Sequence, residues 1–148
     1  MRILVDADAA PIKNIVLEEA KKRKIEVFMY IDTAHVYEDD YAKVIMVGKG
    51  NDAVDYEIIK DIKKMDIVVT NDYPLAAIAL LKGAKCIGFS GLIYTDQNIE
   101  VLLAQRQINQ KLRKCGKKGS SIKKRTIKDD RNFTKVLIEV IKITGGKK

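Results

Sequence analysis

Five aspartates in the chain have the types and spacings to do one job together. Asp6 and Asp8 close the apolar run Ile3-Leu4-Val5, one residue apart. Side chains alternate along an extended chain, so both carboxylates leave the same side of the strand. Like charges that near repel, and the strain is relieved by a proton on one of them or by a cation shared between them. Asp72 ends a second apolar run, Ile67-Val68-Val69, and Pro74 follows it much as Pro11 follows Asp8. Asp55 lies three residues before Ile58 on the helical stripe Ile58, Ile59, Ile62, which turns it toward a sheet; Asp52 is three further back on the same side. Local structure offers a competing account of two of these. Asp8 also suits the start of the next helix, and Asp52 suits a first turn, where acids are favoured. That account explains Asp55 less well, because a helix dipole does not require an inward position. An all-oxygen cluster selects a hard cation, so the expected cofactor is Mg²⁺ or Mn²⁺. Such an ion lowers the pKa of water and offsets charge on a phosphoryl oxygen, the chemistry of phosphodiester hydrolysis.

The elements that must position these groups follow from periodicity. Residues 2–6 read as a first strand, and Pro11 as the opening of a helix carrying Ile12, Ile15, Val16 and Ala20, closed by Lys21 to Lys24. Ile25 to Ile31 is a second strand, Asp32 to Tyr41 a polar loop, and Val44 to Val47 a third strand. Asn51 or Asp52 caps a helix running to about Lys64. Ile67 to Val69 is continuous and apolar, as a strand covered on both faces should be. Leu75 to Leu81 is apolar all round and predicts a deeply packed helix stopped by Gly83, and Ala84 to Phe89 is a fifth strand. Thr95 or Asp96 caps a long helix to Lys114, and a last helix begins at Asp129 and Asp130 with the stripe Phe133, Val136, Leu137, Val140 and Ile141, ending at Gly145-Gly146. Strands alternating with helices predict a three-layer α/β sandwich around a mostly parallel five-stranded sheet. Ligands of such sheets bind beyond the carboxyl ends of the strands, where strand order reverses. If the first and fourth strands are neighbours there, Asp6, Asp8 and Asp72 emerge together, and Asp55 meets them from its helix.

With 148 residues, the chain is read as one domain spanning 1–148. It is 47% hydrophobic and 32% charged, which suits a soluble protein. No apolar stretch approaches the ~20 residues a membrane span needs, and Asp6 interrupts the N-terminal run before a signal sequence could form, so a cytoplasmic location and no membrane partner are expected. His35 is the sole histidine, which argues against a zinc site or a Ser-His triad. Cys86 and Cys115 have no metal-ligand spacing; the first should pack and the second, among lysines, should be exposed. The net charge of +8 is concentrated: Lys111 to Lys128 holds nine basic residues and no acid. A flexible basic loop at about 115–128 is expected, with Lys114, Lys117, Lys118, Lys123, Lys124 and Arg125 placed to hold a polyanion by its phosphates. The alternative is a solvated loop without a ligand. Tyr94 is either a platform for a base or an ordinary packed tyrosine.

Several motifs together resemble the bacterial YaiI/YqxD family. They are Val5-Asp6-Ala7-Asp8-Ala9-Ala10-Pro11, Gly50-x-Asp52-x-x-Asp55-x-x-Ile58, Asp66-Ile67-Val68-Val69-Thr70-Asn71-Asp72-x-Pro74-Leu75-Ala76, Gly91-x-x-Tyr94-Thr95 and Asp130-Arg131-x-Phe133. They span nearly the whole chain in order. The family is grouped with PIN-like nuclease domains, which carry acids at the ends of the first and fourth strands and on a middle helix. The resemblance therefore implies a PIN-like fold with Asp6 and Asp8, Asp72, and Asp55 with Asp52 as a possible fifth, at the metal-binding positions. Where the family usually has a cysteine, this chain has Ala10.

Three functions follow from these residues. The first is a Mg²⁺- or Mn²⁺-dependent nuclease acting on RNA or structured nucleic acid, with Asp6, Asp8, Asp55 and Asp72 catalytic. The second is a nucleic-acid-binding module that uses the same lysines and needs no metal. The third is a phosphatase of the haloacid-dehalogenase type, in which Asp6 would be the nucleophile and Asp8 the acid/base. Ala9-Ala10-Pro11 departs from that signature, and the chain is short for a capped enzyme.

Overall fold

The computed structural model describes residues 1–32, 37–48, 50, 52–116 and 124–145. In chain order the elements are β1 (Arg2–Asp6), α1 (Lys13–Arg23), β2 (Glu26–Asp32), β3 (Lys43–Val47), α2 (Ala53–Asp61), β4 (Ile67–Val69), α3 (Tyr73–Leu81), β5 (Lys85–Ile87), β6 (Ile93–Tyr94), α4 (Asp96–Lys114) and α5 (Ile127–Gly145). The sheet order is β3-β2-β1-β4-β5-β6. Five strands run parallel, as the alternation of elements predicts. The difference from the expected sheet is a sixth strand: Tyr94 pairs with Cys86 and Ile93 with Ile87, antiparallel, across the turn at Ser90-Gly91. Two residues are too short a run to carry a period in the sequence.

Alternation along β1 divides the apolar residues into two cores. Ile3 and Val5 point to one face, where Ile12 at the cap of α1, Val16 of α1, and Phe133 and Leu137 of α5 pack. Leu4 points to the other, where α2, α3 and α4 contribute Ile58, Leu75, Ala79 and Ile99. Each fully buried aliphatic or aromatic side chain in these layers stabilises by about 1.5–3 kcal/mol. The periodicity of α5 is fully realised in this packing. That of α3 is not: Leu75, Ala76 and Ala79 are buried, whereas Leu81 is 86% exposed. The helix lies between the sheet and α4, and its third side faces water.

Two boundaries differ from expectation for backbone reasons. α1 begins at Lys13, two residues after Pro11, because Ala9 turns left-handed (φ 55°) and the Ala10 N–H closes a tight turn on the Ala7 carbonyl. α2 ends at Asp61 rather than near Lys64, because Ile62 is extended and dips into the core. The turn that follows is closed by Asp66, whose carboxylate accepts the Lys63 N–H at 2.8 Å. No helix among the described residues is long and apolar enough to cross a membrane.

Candidate metal and nucleic-acid site

The chain builds outward twice from the middle of the sheet, first through β1, β2 and β3, then through β4, β5 and β6. The reversal between β1 and β4 leaves a crevice at the carboxyl edge, where ligands of such sheets are held. Asp6 is the last residue of β1 and Asp8 lies two beyond. Asp72 sits at the cap position of α3, just after β4. Asp55 is in the first turn of α2, whose N-terminus lies over the same edge. The carboxylates act on one another electrostatically: Asp6 feels Asp72 and Asp8, and Asp55 feels Asp72, Asp6 and Asp52. These positions bring Asp6, Asp8, Asp55 and Asp72 to one edge of the sheet.

The consequence is written in their acidities. Burial raises Asp6 above the ordinary carboxylate value, opposed by the Thr70 hydroxyl and reinforced by Asp72 and Asp8. Asp55 is pushed up to about 8, by burial first, then by its hydrogen bond with Asp72, then by the charges of Asp72, Asp6 and Asp52. A carboxyl raised this far by burial and by neighbouring acids marks a candidate functional site.

Thr70 organises the pair at the strand ends. Fully buried, its hydroxyl donates to Asp6 Oδ2 at 2.8 Å and accepts the Asp72 backbone N–H at 3.0 Å. Asp8 is held from β2: its Oδ1 accepts the Asp32 N–H at 3.2 Å. Asp32 itself lines the acidic cavity of about 250 Å³ together with Asp6, Asp8, Asp52 and Asp55. Reading residues 32–41 as a loop hid this group, although a carboxylate ending an apolar run was the signal already used for Asp6. Asp52 occupies the cap position of α2 but in a left-handed conformation (φ 66°), and its side chain caps nothing. It is exposed and faces the cavity instead.

Arg106, from α4, is the second residue the sequence did not single out. Its Nη1 stands 3.6 Å from Asp72 Oδ1. Nothing in the sequence distinguishes it from the other polar residues of a solvated helix face; only the packing of α4 on α3 brings it over Asp72. Tyr94, by contrast, is a packed residue, 3% exposed, with its hydroxyl donating to the Thr70 carbonyl at 3.1 Å. Gly88 allows that approach, since a Cβ there would lie 3.0 Å from the Tyr94 hydroxyl and 3.1 Å from Asn71 Oδ1.

Of the basic residues expected to hold nucleic acid, Lys114 and Lys124 are exposed. Lys117, Lys118 and Lys123 lie outside the described residues, as do His35 and residues 117–123 of the expected 115–128 loop. Arg125 is engaged structurally: Nε donates to Asp130 Oδ1 and Nη1 to the Phe89 carbonyl, both at 2.8 Å. It pins the start of α5 to the end of β5, so it presents less free charge than its place in a basic run suggests.

The donors around the crevice are all oxygen, which suits Mg²⁺ or Mn²⁺ and not a thiol- or imidazole-preferring ion. Among the described residues, no three carboxylate, histidine or cysteine side chains close to metal-ligating geometry. The carboxylates are gathered and mutually repelling, and Asp55 is hydrogen-bonded to Asp72.

Comparison with known proteins places the chain. Residues 4–143 match the family described as an uncharacterised bacterial YaiI/YqxD family. A UPF0178 protein of Ruminiclostridium cellulolyticum is 48% identical over 142 residues, covering 96% of this chain and 93% of that protein. Another, from Alkaliphilus oremlandii, is 45% identical over 150 residues, covering 98% and 97%. A crystal structure of Rae1 (YacP) from Bacillus subtilis superposes with a TM-score of 0.45 at 19% identity, covering 78% of this chain and 84% of that one. The chain belongs to the YaiI/YqxD family.

Proposed function

From that membership and the carboxylate crevice, we propose that the protein is a metal-dependent nuclease that hydrolyses phosphodiester bonds in RNA or structured nucleic acid. The observation that carries this reading is the meeting of acids from β1, β4 and α2 in one electrostatic site, with Asp55 raised to about 8. Asp6, Asp55 and Asp72 would hold Mg²⁺ or Mn²⁺, and Asp8 and Asp52 would hold a second ion or orient water. When bound, such an ion makes water more acidic and offsets charge on a phosphoryl oxygen. The protein's own part is positioning. Thr70 fixes the Asp6 carboxylate relative to the Asp72 backbone. The Asp32 N–H fixes Asp8. Arg106 supplies positive charge at a mouth that would otherwise repel a phosphate. Lys114, Lys117, Lys118, Lys123 and Lys124 would retain the polymer through its backbone, with Arg125 steadying the segment from α5.

Cleavage of a labelled RNA with Mn²⁺ or Mg²⁺ supplied tests the reading. Asp6→Asn should abolish it while leaving the circular dichroism spectrum and thermal midpoint essentially intact, and a variant that cuts as fast as wild type removes the proposal. A second reading, a nucleic-acid-binding module without catalysis, is favoured by the lack of ligating geometry among the described carboxylates. Calorimetric titration with Mn²⁺ separates the two: uptake supports the nuclease, and none supports the binding module.

A further inference from the structure

Three cavities adjoin one another from the acidic crevice across α2, α3 and α4. The acidic cavity shares Asp52 and Asp55 with a second, of about 430 Å³. That one shares Pro74 and Arg106 with a third, of about 600 Å³ along α4. The wall changes character along the way. It is carboxylate at the first end; apolar and aromatic in the middle, where Tyr56, Ile59 and Ile78 stand beyond the aspartates; and mixed at the far end, where Gln107 and Gln110 stand with the acid Glu100.

We propose that the middle cavity takes the base of an unpaired nucleotide, so that the substrate is a single-stranded nucleic acid threaded along α4; this rests on the nuclease reading for the identity of the polymer. Tyr56 is the first reason. It is 66% exposed, adds nothing to either core, and offers a ring beside the carboxylates. Aromatic faces beside a backbone-tracking groove hold bases by stacking, without regard to sequence. Charge is the second. A polyanion entering beside six aspartates, with Glu100 farther along, needs a cation, and Arg106 is the one basic residue lining the three cavities among those described. Its bond to Asp72 is long at 3.6 Å and its side chain is 45% exposed, so the guanidinium can exchange that carboxylate for a phosphate at little cost. Size is the third: the middle cavity lies in the range of small-ligand sites, with apolar walls and a few polar groups at its rim. A base inside a duplex cannot turn its face to Tyr56 while it remains stacked and paired, which selects a single strand. Beyond the pocket the strand has a path. Arg106, Gln107 and Gln110 share one face of α4, and Arg113 and Lys114, three and four residues on from Gln110, continue it toward the basic run.

The test uses fluorescence anisotropy with a labelled 12-nucleotide RNA, single-stranded or annealed to its complement, in EDTA so that cleavage cannot occur. The wild-type protein should prefer the single strand by about tenfold or more, and Tyr56→Ala should weaken that binding by about tenfold, the loss of one base stack. Tyr56→Phe should bind as wild type does, which also guards against a folding artefact. Arg106→Gln should weaken binding and reduce the salt slope by about one. A 2-aminopurine placed in the strand should be quenched by wild type and Tyr56→Phe and released from quenching in Tyr56→Ala. Equal affinity for duplex and single strand, or an unchanged affinity in Tyr56→Ala, overturns the inference. These outcomes are independent of catalysis: wild-type cleavage with Mn²⁺ alongside an inert Tyr56 would leave the nuclease reading standing and remove the pocket, and binding as expected without cleavage would do the reverse.

Discussion

At the amino edge of the sheet, Asp66 takes two nitrogens of Arg2 at 2.6 and 3.1 Å and the Lys63 N–H at 2.8 Å, while Asp61 accepts the Tyr30 hydroxyl at 2.8 Å. Arg2 closes the group by donating to the Asp61 carbonyl at 2.9 Å, and the pairing with Asp66 raises its pKa. At the carboxyl edge, Asp55 is hydrogen-bonded to Asp72, a second carboxyl, and the nearest guanidinium stands off at 3.6 Å. The same helix, α2, carries Asp61 to the first cluster and Asp55 to the second. The contrast separates two uses of buried acid. Where each carboxylate meets cations and N–H or O–H donors, it fastens the fold; where carboxylates meet each other, the fold carries a cost that a proton or a bound cation relieves.

Substitutions should act in opposite directions at the two ends. The largest effect is expected from Asp66→Ala, which strands Arg2 beside a buried vacancy and should lower the unfolding free energy by about 3 kcal/mol in urea titration. A loss below about 1 kcal/mol would erase the distinction. Next comes divalent ion: at a hundredfold excess over its Kd, Mn²⁺ should stabilise the wild-type protein by about 2.7 kcal/mol and Asp55→Asn by clearly less, as scanning calorimetry would register. Tyr30→Phe removes the donor to Asp61 and should cost about 1.5 kcal/mol without altering metal response. The smallest effect is that of pH on the metal-free protein. Asp55 is near 4 when unfolded and about 8 when folded, so between those values the native state holds a proton that the unfolded chain has lost. Its contribution is fully present below pH 4, declines as pH rises to 8, and is level above. Asp55→Asn should remove that decline, with a gain well under about 1 kcal/mol at pH 8 because the group is only partly buried and is screened by solvent at the crevice. Thermal midpoints in EDTA that fall equally with pH for both proteins would break the comparison.

Much of this architecture can be seen in the residue pattern because it depends on local period. The abrupt ends of Ile3-Leu4-Val5 and Ile67-Val68-Val69 mark Asp6 and Asp72, and the step of three back from Ile58 marks Asp55. What escapes the pattern depends on distant contacts or on backbone sign. Thr70 reads as an ordinary strand-end threonine until β1 lies beside it, and Arg106 reads as a solvated helix residue until α4 lies on α3. Asp52 reads as a cap because side-chain type cannot reveal a positive φ. Arg125 reads as one cation among nine because a charge run hides which member finds Asp130 and the Phe89 carbonyl. Asp32 was legible by the rule applied to Asp6, and the polar stretch after it drew it into a loop.

The two thiols differ in a way that is useful at the bench. Cys86 is walled in between strands, and burial pushes its pKa up, away from thiolate formation, whereas Cys115 stands exposed just past the last turn of α4. A maleimide dye added to the folded wild-type protein should therefore attach at Cys115 alone. Energy transfer from that dye to a fluorophore on either terminus of a bound oligonucleotide would read out strand polarity, 5′ or 3′ toward the carboxylates, with no engineered residue required.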